Sequence, residues 1–182
     1  MDSKFSQRVR DVLTYSKEEA IRLGTNYIDN EHLILGLLRE GEGVAINILV
    51  SFDIDLDLFR KDVEARIRPQ KIEILRETDH IPLLKTAERT LKIVQLEAKT
   101  FRSKTIDTGH LLLALLKEEN SFIAQWLMEN NVNYDNVRAE IEKKLPQAKS
   151  NSPYDDDDAA SKFEGPRTNP PQPGKSSSDT PV

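Results

Sequence analysis

The side chains best suited to chemistry in this sequence are its histidines, and two of them occur in the same context. His32 follows Asp29-Asn30-Glu31, and His110 follows Asp107-Thr108-Gly109. A histidine can act as a general base or bind a metal, but metal ligands normally cluster with further histidines or acids at coordination spacing. Each of these two stands alone at the start of an apolar segment, so we interpret both as hydrogen-bonded packing residues.

Three further groups of residues invite a functional interpretation. Gly41-Glu42-Gly43 resembles a phosphate-binding loop, but it lacks a third glycine and a preceding strand, so we interpret it as the turn that ends a helix. The run from Asp155 to Asp158 could bind a cation, although acidic runs among prolines are usually solvated. Phe122, Ile123 and Trp126 are either core residues or one wall of an apolar peptide groove.

Patterns that would indicate catalysis are missing from the sequence. The chain has no cysteine, which excludes disulfides, thiolate metal sites and a cysteine nucleophile. It contains no nucleophile–base pattern and no Walker A motif, the glycine-rich loop that cradles nucleotide phosphates. The sequence therefore predicts a binding protein rather than an enzyme, with no metal and no cofactor of its own.

Composition narrows the class of protein further. The 182 residues carry a net charge of −5, which argues against a general nucleic-acid binder. No apolar run approaches the ~18 residues that a membrane span needs, and the start MDSKFSQRVR has no signal-peptide apolar region. We expect a soluble, cytoplasmic protein that contacts neither membrane nor nucleic acid.

The last part of the chain differs in composition from the rest. Seven of the nine prolines lie after Leu145, together with the acidic run and a serine triplet. Such a stretch cannot bury enough apolar surface to offset the entropy of ordering itself. The sequence therefore predicts a folded region over residues 4–145 and a disordered linker over residues 146–182.

The folded region repeats itself. Residues 5–67 align without a gap on residues 83–145 at an offset of 78, with 15 identities in 63 pairs. A gapless match of this length indicates duplication of one supersecondary unit. We predict a first repeat over 4–67, an inter-repeat linker over 68–82 and a second repeat over 83–145, packed on each other with pseudo-twofold symmetry.

Each repeat reads as four helices. Apolar residues recur at helical spacing along the first helix of both repeats, and the second helix is apolar nearly all round, which is typical of a buried central helix. Asn30 and Thr108 are the predicted N-caps of the second helices, and Asp55 and Asn133 those of the fourth. The absence of a useful alternating stretch predicts an all-α fold of eight helices.

One pattern in the first repeat is specific enough to name a family. Its most distinctive part is the ungapped run EHLILGLLREGEGVA over residues 31–45. Over residues 4–145 the chain resembles the N-terminal domain of the Clp AAA+ unfoldases, most closely the ClpC type, and the duplication is itself a property of that family. The other matching positions are Phe5, Ser6, Arg8, Val9, Ala20, Leu23, Gly24 and Ile28.

The resemblance implies a binding site. In ClpC-type relatives this domain receives adaptor and substrate proteins, and in some it recognises phosphoarginine, a degradation mark. By motif, Glu31 corresponds to the glutamate that binds the guanidinium, and Ser6 to the hydroxyl on the phosphate side. The second repeat has Gly109 and Leu84 there, so we expect one site per domain. Glu31 also has a plain structural explanation, because an acid in the first turn of a helix favours the helix dipole.

The resemblance also implies a larger protein. Family members assemble as hexamers, hydrolyse ATP and thread substrates into a ClpP-type protease, so ATP and magnesium would belong to ATPase modules outside this sequence. The ending Asp179-Thr180-Pro181-Val182 is similar to the start of the first such module. We therefore expect a monomeric fragment whose linker tethers the binding domain to the ATPase. The alternative is a stand-alone helical regulator or adaptor, and an in-frame Walker A motif downstream in the gene would decide between the two.

Overall fold

The fold consists of two groups of four helices. The structure is a computed structural model that describes residues 4–67 and 71–151. Within these residues, the eight helices confirm the predicted all-α tandem repeat. The first repeat contains α1 (Gln7–Leu23), α2 (Asn30–Glu40), α3 (Val44–Ser51) and α4 (Leu56–Arg66), and the second contains α5 (Lys85–Thr100), α6 (Thr108–Lys117), α7 (Phe122–Glu129) and α8 (Tyr134–Asn151).

The central helices are α2 and α6, as their apolar sequences predict. Every residue from Thr108 to Leu116 is buried, and α2 packs on α1, α4, α5 and α7. Gly36 permits the close packing of α2 on α1, because a Cβ there would lie 2.5 Å from both Ser16 Oγ and the Val12 carbonyl oxygen. A larger residue at position 36 would therefore push the two helices apart.

Two buried glutamates join neighbouring helices at equivalent places in the two repeats. Glu19 of α1 accepts from Arg39 Nη1 of α2 at 3.1 Å, and Glu97 of α5 lies 3.4 Å from Lys117 Nζ of α6. Glu97 also accepts from the Tyr134 hydroxyl at 2.8 Å. Because each carboxylate has a cationic partner, its burial is compensated, which explains the identity of positions 19 and 97.

A short strand of the first repeat pairs with a short strand of the second, which the sequence analysis did not predict. Strand β1 (Lys4–Phe5) of the first repeat pairs in parallel with β2 (Thr105–Ile106) of the second. The pseudo-equivalent pairing, 78 residues away in both partners, is a single bridge between Ile28 and Leu83. The start of each repeat is thus hydrogen-bonded to the loop before the central helix of the other.

The backbone conformation follows the same internal symmetry. Gly24 ends α1 in the left-handed region at φ 76°, and its counterpart Arg102 has φ 55°. Asp53 and its counterpart Asn131 also have positive φ, at 61° and 66°. The left-handed conformation recurs at Arg102 although that residue lacks the freedom of glycine, so the duplicated fold dictates it.

The inter-repeat linker forms neither helix nor strand in its described residues, 71–82. Its chain crosses Gly24, whose carbonyl accepts from the Glu73 N–H at 3.0 Å. Leu75 packs against the core beside α1, whereas Ile72 and Ile74 are exposed.

The last helix continues past the predicted end of the folded region. The proline-rich composition after Leu145 predicted that the folded region ends there, but α8 runs to Asn151. Proline removes one backbone hydrogen bond, and the residues that follow it, Gln147-Ala148-Lys149, favour a helix. Among the described residues, those up to Glu140 form one compact unit, and the end of α8 from Ile141 onward belongs to a second. The rest of the predicted linker, with its acidic run, lies outside the described residues.

Candidate functional site

A groove lies between the start of α2 and the start of α7, and we call it the α2–α7 groove. Its volume is about 590 Å³, and polar side chains of both charges line it. The lining residues are Asp29, Asn30, Glu31, Arg66, Thr86, Lys117, Glu118, Glu119, Asn120, Ser121 and Phe122. The groove therefore joins residues of both repeats and offers contacts to a ligand that carries charge.

Glu31 lies in this groove, in the first turn of α2, as the motif predicts. Its side chain is half-buried, and burial raises the pKa of the carboxyl above its usual range, while Arg66 opposes that shift. A carboxylate that has lost part of its hydration binds a cation more strongly than one in bulk water. Glu31 is thus suited to bind a guanidinium or ammonium group.

Ser6 is not among the residues that line the α2–α7 groove. It is the N-cap of α1, where its Oγ accepts from the Val9 N–H at 3.1 Å and donates to Asp107 of the second repeat at 3.4 Å. The pairing of β1 with β2 brings Ser6 next to the second repeat, where the Ser6 N–H donates to the Ile106 carbonyl at 2.9 Å. The structure places Leu84, the counterpart of Ser6, beside Ile28 on the Glu31 side. Ser6 therefore contacts the N-cap of α6, whereas Glu31 belongs to the first turn of α2.

Two cations border the groove, and each is held by an aromatic ring. The Lys117 ammonium lies 5.1 Å from the Tyr134 ring centroid, and the Arg66 guanidinium lies 4.9 Å from the Phe122 ring centroid. Both residues are exposed, and the Lys117 ammonium also pairs with Glu97, as described above. The sequence analysis did not single out either residue, because an isolated exposed cation has no distinguishing pattern.

The histidines are structural, as interpreted from the sequence. The Asp29 N–H donates to His32 Nδ1 at 2.9 Å, and the Asp107 N–H donates to His110 Nδ1 at the same distance. Each forms half of a capping box, in which the aspartate side chain receives backbone N–H groups of the first turn. The N-caps are therefore Asp29 and Asp107, one residue before the predicted Asn30 and Thr108.

Asn30 consequently has a different role from the one predicted. Displaced from the cap, it is the first residue of α2, buried to all but 7% of its surface. Its Oδ1 has no hydrogen-bond partner among the described residues. Since Asp29 and Asn30 are both good caps, sequence alone does not decide which of two adjacent residues takes that position.

A second groove is apolar. It has a volume of about 530 Å³ and lies between α1, α5 and the linker. Lys17, Glu18 and Glu77 stand at its rim. Its apolar lining consists of Leu13, Ile21, Ile28, Leu33, Leu83 and Leu91.

The aromatic cluster of α7 divides between core and surface. Ile123 and Trp126 are buried, whereas Phe122 is half-buried and lines the α2–α7 groove. The Gly41-Glu42-Gly43 segment is a helix-ending turn, as interpreted, with Gly41 at φ 77°. Within the described part of the chain, no group of histidine, cysteine or acidic residues could hold a metal, and no helix could cross a membrane.

Comparison with known proteins identifies the family. The family model described as the Clp repeat (R) N-terminal domain matches residues 4–104 and 85–163. The chain belongs to this family. The two matches begin near the start of each repeat, at residues 4 and 85.

Relatives of this Clp N-domain include both chaperones and protease subunits. It is 33% identical to the chaperone protein ClpB of Oceanobacillus iheyensis over 141 residues, and 33% identical to the ATP-dependent Clp protease ATP-binding subunit ClpC of Staphylococcus aureus over 145 residues. Each alignment covers 78% of this chain and 17% of the relative. The chain thus spans about a sixth of the length of the curated relatives it matches.

A solved structure confirms the Clp N-domain fold. The crystal structure of the N-terminal domain of the ClpD chaperone from Arabidopsis thaliana superposes with a TM-score of 0.60 at 20% identity. The match covers 79% of this chain and 95% of that one. At this identity the likeness concerns the architecture, and the chemistry of the groove is derived from the residues of this chain.

Proposed function

We propose that this Clp N-domain captures client and adaptor proteins for a Clp-type ATP-dependent unfoldase and presents them to its ATPase. The observation that carries the proposal is the α2–α7 groove, which gathers polar residues of both charges around Glu31 in a chain of this family. The apolar groove beside α1 offers a second surface, of the kind that accepts aliphatic side chains.

Phosphoarginine fits the charges of the α2–α7 groove. A carboxylate such as Glu31 pairs with a guanidinium, while cations and hydroxyls bind a phosphate. Arg66 and Lys117 supply the cations, and Ser121 stands with its hydroxyl at the start of α7. The assignment of Ser6 to the phosphate side stays a prediction, since its hydroxyl is directed to Asp107. We propose one such site per domain, centred on Glu31.

A pull-down with the 182-residue chain tests the proposal. Wild type is compared with Glu31→Ala, and the matched control is Glu88→Ala, which removes an exposed glutamate from the first turn of α5. We expect Glu31→Ala to lose captured proteins and to bind free phosphoarginine at least about tenfold more weakly. Both glutamates favour their helix dipole, so equal effects of the two variants would reduce Glu31 to a structural residue.

The wider assembly follows from the same proposal. We propose that the ATPase modules, which use ATP and magnesium, form the hexamer and hand substrates to a ClpP-type protease in the cytoplasm. The N-domain itself binds and does not catalyse. We expect this chain to be a monomer in light scattering, and a hexamer, or turnover in a hydrolase assay, would contradict this description.

A further inference from the structure

The corner between α3 and α4 carries a concentration of exposed apolar side chains. We define it as residues 50–58 and call it the α3–α4 corner. Val50 and Leu58 are 54% and 48% exposed, and Phe52 and Leu56 are half-buried. None of these residues lines either groove. Single exposed apolar side chains are ordinary, but four such residues within one short corner indicate a surface that a partner covers.

The same corner is acidic. Asp53, Asp55 and Asp57 are all exposed, and the corner contains no lysine or arginine. Ile54 is buried between the first two aspartates, which project away from the core on either side of it. Arg60 pairs with Asp57 at 3.1 Å, but the Asp57 side chain is 83% exposed, and such a surface pair contributes little. The corner therefore presents apolar and acidic side chains together.

The equivalent corner of the second repeat, residues 128–136, has the same backbone and a different surface. Asp53 and Asn131 share the left-handed conformation, and the N-caps Asp55 and Asn133 each accept the N–H three residues further on, at 3.1 and 2.9 Å. Five positions nevertheless differ in chemical class, and the pairs are Ser51/Glu129, Phe52/Asn130, Asp53/Asn131, Asp55/Asn133 and Leu58/Asn136. The duplicated fold therefore builds this corner without the two large apolar side chains and without two of the aspartates.

The second corner also shows which hydrogen bonds the first one lacks. The side chain of Asn136 donates to one backbone carbonyl and accepts one backbone N–H, each at 2.9 Å, and Asn130 donates to a carbonyl at 2.8 Å. Phe52 and Leu58 stand at those positions in the first corner and have no polar side-chain atom. These two residues give up the hydrogen bonds and expose apolar surface to water, so their presence calls for a partner that covers that surface.

The charge of the α3–α4 corner decides which class of partner fits it. Its three aspartates attract the lysine and arginine side chains of another protein. A second copy of this chain is disfavoured, because a symmetric contact would bring the same aspartates of both copies together. Nucleic acids and anionic membranes meet the same repulsion. The corner is thus suited to a protein segment that is both basic and apolar.

We propose that the α3–α4 corner binds a basic amphipathic segment of a partner protein, whose aliphatic side chains cover the exposed apolar residues while its lysines or arginines pair with the three aspartates. The inference goes beyond the proposed function, because this second interaction surface shares no residue with the α2–α7 groove. Substitutions in the corner therefore leave Glu31 and its groove unchanged, and the two surfaces are tested independently.

The test titrates a synthetic amphipathic peptide of leucine and lysine into the 182-residue chain, and backbone amide NMR shifts report where it binds. A second peptide, with glutamate in place of each lysine, tests the role of charge. The corner variant combines Asp53→Asn with Leu58→Asn, which install the residues that the second repeat carries at these positions. The matched control combines Glu88→Gln with Leu96→Asn, which remove one exposed acid and one exposed leucine from α5.

We expect the lysine peptide to shift the amide signals of residues 50–58 in wild type and in the control, with dissociation constants within about twofold of each other. The corner variant is expected to bind this peptide at least about fivefold more weakly, and the glutamate peptide is expected not to bind. Asp53→Asn and Leu58→Asn are also measured singly, so the comparison stands if the pair lowers stability. No shift at residues 50–58 in wild type, equal losses in the corner variant and the control, or equal binding of the two peptides would overturn the proposal.

Discussion

At the scale of single residues, each central helix has a buried histidine in its first turn, His32 in α2 and His110 in α6. A backbone N–H can only donate, so the Nδ1 atoms that receive the Asp29 and Asp107 N–H groups must be unprotonated. For His32 the remaining proton sits on Nε2, 2.9 Å from Thr25 Oγ1. The ring is therefore neutral when the helix start is intact, and burial lowers the pKa of His32 to about 4.

This geometry predicts a loss of stability on acidification. The unfolded chain protonates His32 near its ordinary pKa of 6.5, whereas the folded chain does so near 4. The stability that this residue provides is complete above pH 6.5, falls between pH 6.5 and 4, and changes no further below. The full loss is about 3 kcal/mol, measurable as the free energy of unfolding in urea at several pH values.

His32→Gln separates this contribution from other titrating groups. A glutamine can still accept the Asp29 N–H, so we expect a loss of about 1 kcal/mol at pH 7.5 together with a shallower pH dependence. His80→Gln, which changes an exposed histidine of the linker, is the matched control substitution. An unchanged slope in His32→Gln would show that His32 does not titrate as described.

The sequence predicted what kind of role the histidines play, but it did not predict which residues contact one another. The two histidines were correctly interpreted as packing residues, because each stands alone on an apolar segment. The unpaired Oδ1 of Asn30 and the ion pair of Arg8 with Glu40 depend on how segments far apart in the chain pack together. Neither follows from local spacing.

At the scale of elements, the two first helices begin differently although they occupy equivalent places. Ser6 caps α1 through its hydroxyl, whereas Leu84 stands at the N-cap of α5 with no side-chain hydrogen bond. Both residues have the extended backbone of an N-cap, at ψ 162° and 160°. Helix α5 thus lacks a cap for which its backbone is already arranged.

Leu84→Ser is therefore expected to be more stable than Leu84→Ala. The new hydroxyl would accept an N–H of the first turn, as Ser6 does, and both variants lose the buried part of a leucine that is 39% exposed. We expect a difference of about 0.5–1 kcal/mol between the two variants, and a loss of about 1 kcal/mol for Ser6→Ala. Thermal unfolding followed by circular dichroism measures these differences, and a lower melting temperature for Leu84→Ser than for Leu84→Ala would contradict the prediction.

Elements were predictable where their pattern is long. Helices of eight residues or more show their periodicity, and the caps Asp55 and Asn133 were named correctly, each accepting an N–H of the first turn. Strands β1 and β2 have two residues each, too few for alternation to show. Proline is a strong but not absolute stop signal, which is why the end of α8 was placed too early.

At the scale of the whole molecule, one ring stack joins the repeats. Trp126 of the second repeat stacks on Phe59 of the first, with centroids 4.4 Å apart, and its Nε1 donates to Asp62 at 2.7 Å. Trp126 is the single tryptophan of the chain. Its fluorescence therefore reports on the contact between the repeats.

We predict that the two repeats unfold together. Phe59→Leu is expected to lower the free energy of unfolding by about 1–2 kcal/mol, because Phe59 is fully buried. In both wild type and variant, Trp126 fluorescence and helical circular dichroism should change at the same urea concentration. Val50→Ala, at a residue 54% exposed, is the control. Separate transitions for the two signals would show that each repeat unfolds alone.

The pairing of strands β1 and β2 also has a consequence for synthesis on the ribosome. Phe5 is made about a hundred residues before its partner Ile106. At roughly 5–20 residues per second, β1 waits on the order of 5–20 seconds for β2. The bridge between Ile28 and Leu83 becomes available sooner. The nascent chain can therefore form this bridge before it pairs β1 with β2.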